Sequence, residues 1–403
     1  MQALLSILLA VFFATQVAAQ DQHPLARVDP AQTSIRDGWF GNTKLSIGLS
    51  QGVPFRVFLL AAPPRLVIDF QHADWRDLSP EDVLPRAGRV TDVHFGIFQP
   101  GWSRLVADLA SPMVPDDVVM AVDPQTGSAR LDLTLKPATD AAFADRVGVP
   151  PGAVWVEQAQ PTDPKAIQSD AQFTVVVDPG HGGIDPGAER AGVSEKHLTL
   201  AFARTLQEML IRRGVQALLT RNADVFVALE QRVAFAQKVE ADVFISLHAD
   251  SLSQGEAQGA TVYLLAPEAS DAASAKLAAR HNRSDIIAGA DLTRSDDQLA
   301  GVLLDLARQE TAPRSKLLAE TLIDHMAVMG GPMNRRPLRH ADFSVLKSAD
   351  IPSVLVEVGF LSSDRDLDNL RDPVWRDRMV RTLAQAILSW RDLDETRRSI
   401  VRR

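Results

Sequence analysis

The chain has 403 residues, a formal net charge of −9 and no cysteine. That length accommodates more than one domain with a real core, and the acidic balance argues against nucleic acid as the main partner, since phosphate binding needs clustered Lys and Arg. The missing thiols exclude disulfides, thiolate metal sites and a cysteine nucleophile, so a metal ion would have to sit on His, Asp or Glu.

The first twenty residues, MQALLSILLAVFFATQVAAQ, hold an apolar stretch from Ala3 to Ala14, then Val17-Ala18-Ala19 ahead of Gln20. A short apolar segment closed by small residues reads as a secretory signal peptide over residues 1–19, and it is too short to span a bilayer comfortably. The first Lys or Arg is Arg27, so the α-amino group alone charges the segment's start. An uncleaved anchor is the alternative. Export is expected, with no stable membrane insertion after cleavage.

Residues 25–137 read as β. The runs LVIDF (66–70), RLVADLA (104–110) and ARLDLTL (129–135) are short, β-rich and separated by Pro, Gly and Asp, the pattern of a small sandwich. His72 and His94 are isolated there, so this part reads as a binding module. Residues 138–172, rich in Ala, Pro, Asp and Gln, read as a linker. From Phe173 strands and helices alternate. FTVVVD is a continuous apolar run, as in a strand buried on both faces. A helix is expected over 196–213, with Leu198, Phe202, Leu206 and Leu210 four apart. ALLTR, ADVFISLHAD, ATVYLL and PSVLVEVGF supply further strands, and residues 374–393 a closing amphipathic helix. The fold class expected is multidomain: an N-terminal all-β sandwich plus a C-terminal α/β domain over 173–393 with a mostly parallel sheet.

In open α/β sheets ligands bind beyond the carboxyl ends of the strands. His181 follows one such end, His248 closes FISLH and Glu357 closes SVLVE, while Glu195 opens the first helix. A phosphate loop is disfavoured, because no Lys stands among the glycines of GHGGIDPG and no helix opens directly from it. Two imidazoles and a carboxylate suit Zn²⁺ with one position left for water. Glu357 then serves as a base beside that water; taken alone, each residue could instead be an ordinary strand-end polar group.

The segments VVVDPGHGGIDPGA, EKHLTL, ADVFISLHAD, GATVYLL and FSVLKSADIPSVLVEVGFLSS resemble the zinc-dependent N-acetylmuramoyl-L-alanine amidases of bacterial cell division, over about residues 173–393. PPRLVIDF and WSRLVADLA more weakly resemble that family's N-terminal peptidoglycan-binding (AMIN) domain. The resemblance implies zinc ligands at His181, Glu195 and His248 and a catalytic glutamate at Glu357. It also implies hydrolysis of the amide between N-acetylmuramic acid and the L-alanine of the stem peptide in septal peptidoglycan. Ser363 stands where the family often has Asn, which puts a contact at the mouth of the site in doubt.

Residues 268–330 exceed a minimal α/β domain. They are expected to hold a helix over 296–309 with Leu299, Val302, Leu303 and Leu306 on one face, stopped by Pro313. The resemblance implies an autoinhibitory insert displaced by an activator with a degenerate metallopeptidase-like (LytM-type) domain. Asp296 and Asp297 are candidates for a blocking metal ligand; they equally suit the first turn of a helix capped by Ser295. His340 is a candidate substrate contact or a structural His, His197 is expected to point away, and residues 394–403 read as a frayed basic tail. A non-hydrolytic peptidoglycan scaffold and another zinc hydrolase, a peptidase or sugar deacetylase, are the competing readings.

Overall fold

The computed structural model describes residues 25–99, 101–148, 173–252, 257–287, 301–329 and 331–401; of 286–287, 301–309 and 400–401 only the backbone is described. The expected signal peptide, most of the linker, and Asp296 and Asp297 lie outside the described residues.

The first body contains strands β1 (Ala26–Asp37), β2 (Thr43–Leu49), β3 (Phe55–Leu60), β4 (Arg65–Gln71) and β5 (Ala73–Asp74). Helix α1 (Pro80–Val83) precedes β6 (Val90–Gln99), β7 (Trp102–Leu109), β8 (Met113–Val122) and β9 (Ala129–Pro137). They form two sheets, ordered β5-β1-β2-β9-β8 and β3-β4-β7-β6. Leu45, Ile47, Leu131 and Leu133 from one meet Leu66, Ile68, Leu105 and Ala107 from the other in a shared core. Helix α2 (Asp140–Ala144) still belongs to this body: Phe143 is buried in that core, and Gly148 N–H donates to the Leu59 carbonyl at 3.1 Å. The β region therefore runs past Pro137, because an apolar side chain inside the Pro- and Ala-rich stretch docks back on the sheet.

The second body follows as β10 (Thr174–Pro179), the hairpin β11 (Glu189–Arg190) and β12 (Val193–Ser194), and α3 (Glu195–Ile211). Then come β13 (Gln216–Leu219), α4 (Leu229–Lys238), β14 (Val243–His248), β15 (Ala260–Leu265), α5 (Ala272–Asn282) and α6 (Ser284–Ile287). The chain ends with α7 (Gly301–Val328), β16 (Met333–Ala341), β17 (Ser353–Glu357), α8 (Asp364–Arg371) and α9 (Pro373–Val401). The sheet order is β13-β10-β14-β17-β15-β16. The first four strands are mutually parallel, but β15 runs antiparallel to β17 and β16 pairs parallel with β15. The sheet is thus mixed, since β14 is followed by a direct return strand without a crossover helix.

Alternation along β10 sends Val175 and Val177 to one face, where α3, α7 and α9 pack through Phe202, Leu206, Leu318, Leu322, Ile387 and Trp390. Val176 faces the other side, with Phe244, Leu277 and Leu355. Helix α7 corrects the sequence reading: Pro313 lies inside it rather than ending it. Burial of Leu317, Leu318, Leu322 and Met326 holds the second half of α7 on the sheet, and tertiary packing outweighs the local breaker. That half is core, so the region beyond the minimal domain is shorter than 268–330. Likewise the tail is no frayed end, for α9 continues to Val401, pinned where Arg314 donates to buried Asp394 at 2.9 and 2.8 Å.

The outer face of the sheet β3-β4-β7-β6 is apolar too. Phe58, Leu60, Val67, Phe98 and Val106 pack there against Ile184 and Phe226 of the second body, and the Phe98 and Phe226 rings stack at 6.1 Å. A sheet covered on both faces explains why its strands read as unbroken apolar runs. Phe98→Ala, which removes the ring lying between Arg104 (3.5 Å) and Phe226, is expected to cost about 3 kcal/mol or more, read as a lowered denaturant midpoint.

Candidate metal centre

The parallel order places a topological switch at β10, whose neighbours β13 and β14 lie on opposite sides. A crevice opens at such a point beyond the carboxyl ends of the strands. His181 lies two residues past the end of β10, and His248 ends β14 in register with Glu357 at the end of β17. Glu195 is the first residue of α3. The structure thus brings together His181, Glu195, His248 and Glu357, all at most 7% exposed.

The loop carrying His181 is held from below by buried charge. Asp178 accepts from Arg232 at 2.7 Å and Ser246 at 2.6 Å; burial opposes its ionisation, but the Arg232 charge and the hydroxyl donors hold it below the usual carboxylate range. Arg232 also donates to the carbonyls of Pro179 (2.8 Å) and His181 (2.9 Å), and Arg221 to those of Pro179 (3.0 Å) and Gly180 (2.9 Å). Burial, with the Arg232 charge nearby, pushes Arg221 down to about 9. These contacts fix His181 in a left-handed conformation, φ 61°, one that non-glycine residues adopt at a cost. Gly180 is required by proximity: a Cβ there would lie 2.2 Å from the His248 ring.

His181 Nδ1 donates to Asp185 at 2.8 Å, and Asp185 also accepts from Gly187 N–H at 3.1 Å and from the Ser284 hydroxyl. Although burial opposes it, the His181 charge and these donors keep Asp185 far below the usual carboxylate range. Such an outer carboxylate fixes ring orientation and tautomer, leaving Nε2 to face Glu195 Oε2 at 3.2 Å. Glu195 Oε1 accepts from His248 Nδ1 at 3.0 Å and Ala249 N–H at 2.9 Å, and Oε2 from Ala188 N–H at 2.8 Å. Burial and the neighbouring His281 and His181 charges push His248 down to about 4, leaving the neutral imidazole that binds metals. Glu357 Oε2 accepts from Asp250 N–H at 3.0 Å; burial and the charges of Glu195 and Asp250 raise its pKa well above the usual range.

A third imidazole, missed in the sequence, joins them. His281 at the end of α5 stacks on His248 with ring centroids 4.2 Å apart, and donor atoms of His181, His248 and His281 lie within 4.8 Å of one another. His181 Nε2, His281 Nδ1 and Glu357 Oε1 are buried without a hydrogen-bond partner, which is costly. A metal ion fits this cluster, because it satisfies orphaned nitrogens beside a carboxylate in a closed, polar space. The adjoining cavity, about 10 Å³, is lined by Asp178, His181, His248 and His281, room for one small particle and no substrate.

His340 does not belong here. Because β15 reverses direction, His340, paired with Leu264, lies toward the opposite end of the sheet from Glu357, exposed and bonded to the Glu268 carbonyl. The Ser363 hydroxyl caps α8 by accepting from Asp366 N–H. His197 points outward, 3.4 Å from Asp224. Nothing in linear spacing set His281 apart, for it lies on a helix and not at a strand end; Asp185, four residues after His181, was the more visible omission.

The N-acetylmuramoyl-L-alanine amidase (Amidase_3) profile matches residues 175–389 and the AMIN domain profile residues 34–135. The chain belongs to the N-acetylmuramoyl-L-alanine amidase family. It is 38% identical over 229 residues to the amidase AmiA of Escherichia coli K12, covering 56% of this chain and 79% of that one. It is 30% identical over 382 residues to AmiC of Neisseria meningitidis, covering 91% and 89%. AmiC2 of Nostoc punctiforme, a solved structure, is 28% identical over 56% of this chain and 99% of its own, with a TM-score of 0.40. The protein is an amidase acting on peptidoglycan. In this amidase Asp178→Ala leaves Arg232 buried without its counter-charge, so a loss of about 3–5 kcal/mol is expected, measurable by chemical denaturation.

Proposed function

We propose that this amidase is a periplasmic zinc enzyme that splits septal peptidoglycan, is targeted by its N-terminal β body, and is held closed by α5 and α6. The observation that carries the reading is the convergence of buried His181, Glu195 and His248 beside Glu357, whose Oε1 has no hydrogen-bond partner. Those three residues would hold zinc, and His281 would fill the position that water and substrate need. Zinc, when bound, supplies a Lewis acid that polarises the substrate carbonyl and eases deprotonation of water.

Glu357 takes a proton from the attacking water at Oε1 and passes it to the leaving nitrogen as the carbon–nitrogen bond breaks. The products are the lactyl carboxylic acid and the free amine of L-alanine. Asp185 holds the His181 ring throughout, and Asp250 N–H orients the other oxygen of Glu357.

Closure is supported by the fastenings of residues 280–285. Arg280 pairs with Asp250, and His281 Nε2 lies 3.2 Å from the same carboxylate. Asn282 donates to the Asp342 carbonyl at 2.7 Å and accepts from Ser344 N–H at 2.8 Å. Ser284 donates to Asp185, and Asp285 accepts from Leu229 N–H at 3.0 Å. Several hydrogen bonds, each worth about 1 kcal/mol net, must be exchanged together, which suits displacement by a protein activator of the LytM type.

Sacculus digestion followed by mass spectrometry of released peptides tests the reading. Glu357→Gln is expected to lower turnover by about 10²–10⁴-fold while one zinc per chain remains bound. Retained turnover would remove Glu357 from the chemistry. His281→Ala is expected to raise basal release of peptides with a free L-alanine amine and to alter the visible spectrum of the cobalt-substituted protein. An unchanged spectrum and unchanged basal rate would refute the blocking role.

A further inference from the structure

Two consecutive residues of a regular strand face opposite sides of a sheet, yet Arg335 and Arg336 line the same cavity, about 590 Å³, at the sheet's edge. The cause is an irregularity in β16. Ala260 pairs with Met333 and Val262 with Leu338, so β15 advances two residues where β16 advances five. Bulges of this kind re-aim side chains and are frequent next to active sites. Buried Asn334 holds it in place: its amide donates to the Gln258 carbonyl at 3.1 Å, and its Oδ1 accepts from Arg336 N–H at 3.0 Å and from Arg339 at 3.2 Å.

The cavity is charged on one side. Asp271, its acidic member, is committed to Arg339 at 2.8 Å and to the first turn of α5 through Ser274. Arg335 and Arg336 are exposed and have no ion-pair partner among the described residues. Two guanidiniums without a direct ion pair, Arg336 sharing only the longer-range field of Asp271, within one pocket of a chain carrying −9 overall form a site for carboxylates, which Arg binds in a bidentate manner.

The position is equally specific. The bulge is opposite Thr261, and Thr261 pairs with Glu357 across β17. Two strand spacings separate them, about 10 Å, the span of about three extended residues. Helix α5 begins at this cavity with Ala272 and Ala273 and ends at His281 by the metal cluster, about 14 Å farther along.

We propose that the Arg335–Arg336 bulge is a subsite for free carboxylates of the stem peptide, two or three residues beyond the amide that is cut. It rests on the proposed placement of that amide at Glu357. The competing explanation is that arginines on an edge strand merely discourage edge-to-edge pairing.

The test is calorimetric binding of the tripeptide L-Ala-γ-D-Glu-L-Lys, with its carboxylates free or converted to carboxamides, to the full-length zinc-loaded protein. The free acid is expected to bind, and R335Q/R336Q to weaken it about tenfold, as loss of a charge-assisted contact would. The carboxamide peptide is expected to be indifferent to the substitution. The same binding in Glu357→Gln would separate the subsite from catalysis. Equal binding of both peptides to both proteins, or no binding to the parent protein, would overturn the proposal. Absence of peptide release from sacculi by the His281→Ala protein, with tripeptide binding intact, would instead count against the placement of the amide. R335K/R336K, which keeps the charge without the planar fork, is expected to recover part of the affinity.

Discussion

Two buried arginines support everything at the catalytic end of this amidase. Arg221 and Arg232 together turn the carbonyls of Pro179, Gly180 and His181 inward, and only Arg232 has a buried carboxylate directly beside it, Asp178. Burying a charge is costly unless it is paired and fully hydrogen-bonded. Here the backbone of the His181 loop supplies the acceptors, so the loop and the charges are satisfied together or not at all. The left-handed conformation of His181 is one result. The sequence DPGHGGID places the imidazole, and the arginines from β13's end and α4 dictate the direction in which it points.

The fold was legible where periodicity and burial agree. FTVVVD, FISLH and SVLVE were readable as strands because strands covered on both faces are apolar throughout, and their carboxyl ends pointed to His181, His248 and Glu357. Helix α7 was misread because Pro313 is a local signal and its packing on the sheet is not. The reversal at β15 was equally hidden: ATVYLL shows the same apolar run whichever way it lies, and that direction decides whether His340 is near Glu357 or far from it. His281 was illegible for a different reason, since it reaches the cluster only through the docking of α5 above the sheet.

The closed arrangement has an electrostatic logic of its own. Four carboxylates, those of Asp185, Glu195, Asp250 and Glu357, crowd around three imidazoles with little or no solvent access. Against the cost of burial, His181 holds Asp185 and, with His248, Glu195 ionised, whereas burial and the charges of Glu195 and Asp250 push Glu357 toward its neutral form. Environments that drive neighbouring acids apart mark which one exchanges protons. Displacement of α5, as proposed, would wet Glu357 and bring in substrate in the same movement.

The junction between the two bodies is defined as much by absent atoms as by contacts. At Gly183, two residues from His181, an added Cβ would lie 2.1 Å from the Ile97 carbonyl, and at Gly96 another would meet the Ile184 backbone at 3.0 Å. Main chain therefore rests on main chain beside the His181 loop. The halves are not freely interchangeable modules: a catalytic half prepared alone would turn Ile184 and Phe226 toward water, and a foreign β domain would fit only if it, too, carried no side chain where Gly96 meets Ile184.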